Sequence, residues 1–339
     1  MNKIVLGTMN IYYPHSSTNS STSNSNIQKQ EEDDEYLAIL NTYCQSVGEK
    51  NAMLDTAYYY GNTKTEQKLG ELLPLLPFVP KIATKVNPWF ENDFSTGLLG
   101  QLARTPMLNQ FNTSLKNLQV DQVDILYLHC PDHNTDIHDT LETIDELWRR
   151  EKINNWGLSN YSLLQSRQII DICDIYTYQL PTYYQGMYNI ISRKVEEIFP
   201  LLEEHDIEFW GYNPLAGGLL TGKYHNFQKN ELSNNRFHNN SIYQNIFWKP
   251  EIMENLDMYF PYKTETALHT SYSWLQHHSF IQNNNNNNNN KIVLGVSTES
   301  QLKENLSHIK NSTTLEEHEL AKLDILYDNI RTLSPNYYY

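Results

Sequence analysis

Eight alternations of a short apolar run with a longer amphipathic stretch predict an α/β protein, a (β/α)8 TIM barrel. Two further observations support that class. No Gly-x-Gly-x-x-Gly turn follows any strand-like run, which weakens the open doubly wound sheet as the runner-up. Eight is also the count of parallel strands that closes a barrel. The strand-like runs are Ile4–Leu6, Ala52–Leu54, Lys81–Thr84, Val123–Leu128, Asn155–Leu158, Thr177–Leu180, Glu208–Tyr212 and Lys291–Gly295. Each is short, apolar and rich in residues that suit a strand. Helical periodicity fills the intervals at about 33–49, 64–73, 97–118, 138–151, 161–173, 192–205, 264–278 and 299–309. A C-terminal extra helix is predicted at about 315–331.

The 339 residues supply enough apolar side chains for one large core, and the expected organisation is a single barrel domain over 1–339. Two low-complexity surface insertions interrupt it. Residues 16–30 are rich in Ser and Asn, and 283–290 are eight consecutive Asn. Neither tract has enough apolar side chains to bury a core, so both are expected to be flexible.

Composition narrows the function. With 25 Lys and Arg against 40 Asp and Glu, the formal charge is −15. So acidic a chain lacks the broad basic face that nucleic acid or an anionic membrane needs. Three cysteines, Cys44, Cys130 and Cys173, with no Cys-x-x-Cys spacing, argue against a disulfide scaffold and against a metal site. The opening Met-Asn-Lys-Ile-Val-Leu-Gly-Thr has too short an apolar run for a signal peptide, and no stretch approaches a membrane span. The expected setting is cytoplasmic.

In a parallel barrel, chemistry gathers where the strands end. The second strand runs into Asp55-Thr-Ala-Tyr-Tyr-Tyr60, the third into Lys85-Val-Asn-Pro, and the fourth into His129-Cys-Pro-Asp-His133. Singly, each has an ordinary reading: Asp55 as a turn residue, Lys85 as a solvated strand end, His129 as a bonded core histidine. With 24 Tyr in the chain, one tyrosine says little. Together, at adjacent strand ends, they form a chemical set. Burying Asp and Lys is costly unless they pair. An ammonium beside a phenol favours the phenolate, lowering a pKa that starts at about 10. An imidazole can orient a carbonyl oxygen. Such a site suits protonation of an oxygen that becomes negative as hydride reaches its carbon. Spacing leaves Tyr59 and Tyr60 open as the phenol.

These residues resemble the tetrad of the aldo-keto reductases. Longer matches point to the aflatoxin aldehyde reductase (succinic semialdehyde reductase) branch. They are Lys81-Ile-Ala-Thr-Lys-Val-Asn-Pro-Trp89, Tyr127-Leu-His-Cys-Pro-Asp-His133, Gly157-Leu-Ser-Asn-Tyr161, Leu180-Pro-Thr-Tyr-Tyr-Gln-Gly-Met-Tyr-Asn189, Tyr212-Asn-Pro-Leu-Ala-Gly-Gly-Leu-Leu-Thr-Gly-Lys-Tyr224 and Pro335-Asn-Tyr-Tyr-Tyr339. The resemblance covers nearly the whole chain apart from the two tracts. It implies a barrel that uses NADPH without a Rossmann domain, and reduction of aldehydes, and some ketones, to alcohols. It selects Tyr60 as general acid, with Lys85, Asp55 and His129 as its partners.

For the cofactor, the resemblance implies that Ser159, Asn160 and Gln185 bond the nicotinamide carboxamide and that Tyr212 stacks on its ring. Asn213, Pro214, Leu215, Ala216, Gly217, Gly218, Leu219, Leu220, Thr221, Gly222 and Lys223 match the loop that wraps the pyrophosphate. Its Gly-x4-Gly-Lys is only a near P-loop, because Tyr224 replaces the Ser or Thr. Arg236 matches an arginine at the cofactor phosphates. Ser297, Thr298, Gln301 and Asn305 match the segment that holds the adenosine 2′-phosphate at a helix N-terminus. Without the resemblance, that segment reads as an ordinary capped helix. Lys303 is the one basic residue close to it.

Departures bear on substrate. Where the branch has a carboxylate-binding arginine, this chain has Ile246, and the branch's C-terminal arginine is matched by Tyr339 or lies beyond the end. The expected substrates are therefore neutral aldehydes lying against Trp89, Tyr243 and Tyr338, with His129 at the carbonyl. Two other readings have different signatures. A regulatory subunit resembling the potassium-channel β-subunits would bind cofactor with little turnover. A Schiff-base aldolase would use Lys85 as its nucleophile. The resemblance also admits a homodimer.

Overall fold

The computed structural model describes residues 3–11, 25–90, 99–224, 237, 240–282 and 289–339, with backbone only at 25–30 and at Ile242. Eight parallel strands follow one another in chain order and close into a barrel, β1-β2-β3-β4-β5-β6-β7-β8. They are β1 (Ile4–Gly7), β2 (Met53–Asp55), β3 (Lys81–Val86), β4 (Val123–Leu128), β5 (Ile153–Ser159), β6 (Tyr183–Met187), β7 (Glu208–Tyr212) and β8 (Lys291–Gly295). The helices are α1 (Ser25–Val47), α2 (Lys64–Leu72), α3 (Arg104–Leu118), α4 (Ile137–Arg149), α5 (Leu163–Tyr176), α6 (Phe199–Glu204), α7 (Ser241–Phe247), α8 (Pro250–Tyr259), α9 (Thr264–His277), α10 (Glu299–Lys310) and α11 (Glu317–Ile330).

The described residues group into two compact units. The first comprises 1–184, 294–304 and Tyr339, and the second 185–293 and 305–338. In the first unit, register aligns the functional strand ends. Gly7 pairs with Asp55, Asp55 with Ala83, Lys85 with Tyr127 and Tyr127 with Gly157. Side chains alternate along a strand, so paired positions share a face. Asp55, Lys85 and Tyr127 therefore share one face, and Thr84 takes the other. The Thr8 amide and hydroxyl both donate to the Asp55 carbonyl, at 2.9 and 3.0 Å, and hold the end of β2.

Local signals explain the boundaries. Asp136 caps α4 by accepting from the His138 amide at 3.0 Å. Ser162 and Gln165 form a capping box at the start of α5. That helix ends at Thr177 in the left-handed region, φ 58°.

The sixth strand is a correction. The run Thr177–Leu180 belongs to the connection, and β6 starts at Tyr183. Thr177 is spent ending α5, and Pro181 has no amide to offer a ladder. The Gln179 main chain instead bonds side chains, its amide to Asp145 and its carbonyl to the Trp156 indole. Helices α7 and α8, between β7 and α9, had no counterpart among the predicted elements. The stretch predicted at 192–205 divides into a 3-10 turn, Lys194–Ile198, and α6.

The two tracts are shorter than their composition suggests. Residues 16–24 and 283–288 lie outside the described residues, but 25–30 already form the first turns of α1. Asn290, the last of the eight asparagines, is fully buried. Its Oδ1 accepts from the Phe209 amide and its Nδ2 donates to the Phe280 carbonyl, both at 2.8 Å.

Gly157 is required by space. A Cβ there would stand 2.4 Å from the Tyr183 carbonyl oxygen and 2.7 Å from the Tyr127 ring. The first neighbour is backbone and cannot swing away. Gly157→Ala is expected to destabilise the fold by about 3 kcal/mol through overpacking, read as a lower midpoint in urea unfolding.

Candidate functional site

Lys85 is the centre of the first unit's polar cluster and is 1% exposed. Its Nζ donates to Asp55 Oδ1 at 2.8 Å, to Asp55 Oδ2 at 2.7 Å and to the Thr56 carbonyl at 2.8 Å. Burial lowers the Lys85 pKa, and the Asp55 charge opposes that shift. An ammonium bonded to both carboxylate oxygens is the arrangement that makes such burial tolerable. It also fills the geometry a Schiff-base nucleophile would need open.

The chain beyond β2 turns back over this pair. The Tyr58 amide donates to the Lys85 carbonyl at 3.0 Å, and the Tyr60 amide to the Ala57 carbonyl at 3.0 Å. The turn sends neighbouring rings to different places. Lys85 Nζ lies 5.1 Å from the Tyr60 ring centroid, and the Tyr60 and His129 centroids are 5.9 Å apart. Tyr59 instead meets Trp89 edge-on at 5.1 Å. Of the two phenols that spacing left open, Tyr60 is the one beside both Lys85 and His129. Trp89 completes the group, its ring 5.3 Å from His129.

His129 is half-buried at the end of β4, and its Nδ1 has no hydrogen-bond partner among the described residues. Loss of hydration, reinforced by the Lys85 charge, lowers its pKa to about 3. It is therefore a neutral imidazole at physiological pH. Asn160 Nδ2 donates to the His129 carbonyl at 2.9 Å and to Ser159 Oγ at 3.0 Å, tying the ends of β4 and β5 together. Asn160 adopts φ 62°, and its carbonyl accepts from the Tyr339 amide at 3.3 Å.

In the second unit, β7 ends at Tyr212 and the chain enters a loop of left-handed residues: Asn213, Ala216, Gly217, Gly218 and Gly222. Asn213 Oδ1 accepts from the Gly217 amide at 2.7 Å, and its carbonyl accepts from Asn189 Nδ2 at 2.9 Å. Asn213 Nδ2 is buried without a partner among the described residues, and a Cβ on Gly218 would meet nothing within 4 Å. A donor left over beside open, positive-φ backbone fits a loop that receives an anion such as a pyrophosphate. Gln185, at 2% exposure, is buried in β6. Lys223 is exposed. Tyr243 lies against this loop, where a Cβ on Gly217 would reach its ring at 2.6 Å, and Tyr338 is 39% exposed on the C-terminal tail. Arg236 lies outside the described residues.

At α10, Thr298 and Gln301 bond each other's segment. Thr298 Oγ1 accepts from the Gln301 amide at 3.2 Å, and Gln301 Oε1 accepts from the Ser297 amide at 3.0 Å. The Glu299 amide donates to Glu35 Oε1 at 2.5 Å, and Lys303 pairs with Glu299 at 2.8 Å. Ser297 and Thr298 are exposed, while Asn305 is buried. The capped-helix reading of this segment is thus realised, and a carboxylate from α1 already stands at its first turn.

Two groups were missed from sequence. Glu35 has no local signal, since only tertiary contact brings it to α10. Glu66 had one, because it falls on the buried stripe of α2 with Leu69 and Gly70, continued by Leu73 just past the helix end. It is 0% exposed, and its Oε1 accepts from Thr84 Oγ1 at 2.5 Å. Burial pushes its pKa up to about 7 against the opposing bonds and the Lys85 charge.

Comparison with known proteins follows the same lines. The Aldo/keto reductase family model matches residues 3–328. The chain belongs to the aldo/keto reductase family, which makes it an NADP-dependent oxidoreductase of small-molecule aldehydes. It is 36% identical over 305 residues to aflatoxin B1 aldehyde reductase member 2 of Rattus norvegicus, covering 84% of this chain and 78% of the rat protein. It is 38% identical over 274 residues to the Homo sapiens protein of the same name, covering 75% and 72%. Among solved structures, it resembles a glycerol dehydrogenase from Gluconobacter oxydans with TM-score 0.68, 20% identity, and coverage of 98% and 92%. It also resembles a Klebsiella pneumoniae aldo-keto reductase in complex with NADPH, with TM-score 0.61, 19% identity, and coverage of 98% and 92%. Among the described residues, no helix is long and apolar enough to cross a membrane, and no group of three acidic, His or Cys side chains could hold a metal.

The two shifted groups act oppositely on stability. Unfolded Glu loses its proton near 4.5 but Glu66 keeps it to about 7, so its contribution falls as pH rises through that window. Unfolded His gains a proton below 6.5 but His129 only below about 3, so its contribution falls as pH drops. The sharper test is Glu66, which no solvent reaches, whereas the His129 edge is partly exposed. Relative to wild type, Glu66→Gln is expected to gain about 1.4 kcal/mol per pH unit between about pH 5 and 7, measured by denaturant unfolding across pH.

Proposed function

We propose that the chain works as one catalytic barrel that reduces neutral aldehydes to primary alcohols with NADPH, and that Tyr60 is the general acid. The observation that carries this reading is the Tyr60 ring standing beside both the Lys85 ammonium and the His129 imidazole. When bound, the reduced nicotinamide supplies the hydride that reaches the carbonyl carbon. Tyr60 gives its proton to the carbonyl oxygen and is later reprotonated from water. The Lys85 charge stabilises the phenolate left behind, and Asp55 holds that charge in place. His129, being neutral, has one ring N–H and one lone pair, so its role is to hydrogen-bond and aim the carbonyl oxygen.

The cofactor contacts are assigned by resemblance to the family. Ser159, Asn160 and Gln185 would bond the carboxamide, and Tyr212 would stack on the ring. The loop Asn213–Lys223 would wrap the pyrophosphate with its backbone amides, with Arg236 at the phosphates. Ser297, Thr298, Gln301 and Asn305 would meet the adenosine end. Trp89, Tyr243 and Tyr338 would form apolar walls for the aldehyde. With Ile246 and Tyr339 where the branch has arginines, a substrate carboxylate would miss the two cations that the branch offers it.

Tyr60→Phe is expected to lower kcat for 4-nitrobenzaldehyde by about 10²- to 10⁴-fold, while the NADPH Kd from fluorescence titration stays within about twofold. An undiminished rate would sink the assignment. A panel followed by NADPH absorbance should give 4-nitrobenzaldehyde a kcat/KM at least about tenfold above that of succinic semialdehyde, the worth of one missing charged hydrogen bond. The opposite order would overturn the neutral-substrate reading.

A further inference from the structure

Trp89 is held in place by a side chain outside the tetrad and the cofactor segments. Past the end of β3, Asn87, Pro88 and Trp89 leave the ladder, and their main-chain groups need other partners. Gln110, 5% exposed on α3, supplies them. Its Oε1 accepts from the Asn87 amide at 3.0 Å, and its Nε2 donates to the Asn87 carbonyl at 3.0 Å. The same Nε2 donates to the Gln101 carbonyl at 3.0 Å. Asn87, itself 0% exposed, passes the hold onward, its Nδ2 donating to the Trp89 carbonyl at 2.9 Å. The Gly100 and Gln101 amides donate to the Pro88 carbonyl at 3.1 and 3.0 Å, and Trp89 bridges to Leu99.

The buried face of α3 is otherwise Met107, Phe111, Ser114 and Leu118. A carboxamide among them is unfavourable unless both of its ends are bonded, as they are here. A side-chain amide presents an acceptor and a donor side by side, which matches the amide and carbonyl of one peptide-like edge. Methionine fills the same volume but offers neither. The beneficiary of the clamp is the indole, which touches the rings of Tyr59 and His129.

We propose that Gln110 is a positioning residue that sets selectivity for bulky aldehydes by clamping the Asn87–Trp89 turn, so that the indole forms a fixed wall beside His129. This rests on the reading of Trp89 as a substrate wall. A large aromatic aldehyde needs that wall, whereas a small aldehyde needs only the groups at the carbonyl. The clamp therefore acts on KM for the first and leaves the second alone.

The test compares 4-nitrobenzaldehyde with propanal in wild type, Gln110→Met and Gln110→Glu, with NADPH Kd measured by fluorescence. Gln110→Met is expected to raise KM for 4-nitrobenzaldehyde about tenfold, the effect of losing a net 1.4 kcal/mol of hydrogen bonding. The kcat for both aldehydes, KM for propanal and the NADPH Kd should stay within about twofold. Gln110→Glu keeps the acceptor for the Asn87 amide but sets an oxygen against two carbonyls, and should give the same split should the Met variant fail to fold. Trp89→Ala should reproduce the rise in KM for the aromatic substrate. Equal changes for both aldehydes, or none for either, overturn the proposal and leave Gln110 as a brace for the fold. A wild-type protein inert on both aldehydes overturns the reductase reading beneath it instead.

Discussion

The buried contact between Lys85 and Asp55 is the constraint on which the site depends. Two charges taken out of water cost several kcal/mol each unless each satisfies the other. Here the carboxylate meets the ammonium with both oxygens, and the Thr56 carbonyl takes a further donor. That geometry is available only because β2 and β3 are neighbours in register and both side chains take the same face. The barrel thus does for the pair what no isolated hairpin could. It removes the charges from water and still brings them within 2.7 Å.

A buried cation then organises its neighbours. It stands 5.1 Å from the Tyr60 ring centroid and disfavours positive charge on His129. For His129 that charge adds to the larger effect, the loss of hydration, and together they keep the imidazole neutral. Glu66 lies behind the same strand, bonded to Thr84, whose side chain takes the face opposite Lys85. Its carboxyl answers to the same field from the other side of β3. Electrostatics on both faces of one strand are therefore coupled through a few residues.

Much of this was legible in the chain. Alternating runs placed the elements, and strand-end positions singled out Asp55, Lys85 and His129. The errors have particular causes. Thr177–Leu180 has strand-like composition, but a left-handed helix cap and Pro181 prevent it from joining the ladder. The eight asparagines look like one featureless tract, yet Asn290 is a buried bridge between Phe209 and Phe280. Composition treats identical residues alike, and only position distinguishes them.

The amino-acid order by itself determined what is local or periodic: the number of β/α units, the apolar stripes, the strand-end residues, and the glycines of the left-handed loop after β7. These follow from side-chain spacing and backbone sterics, which act over a few residues. Tertiary structure decided which of Tyr59 and Tyr60 faces the ammonium, that Glu66 is a proton-holding acid, and that Gln110 clasps Asn87 from another helix. Those outcomes depend on distances between residues far apart in the chain and on the water that packing removes, and neither is written in spacing.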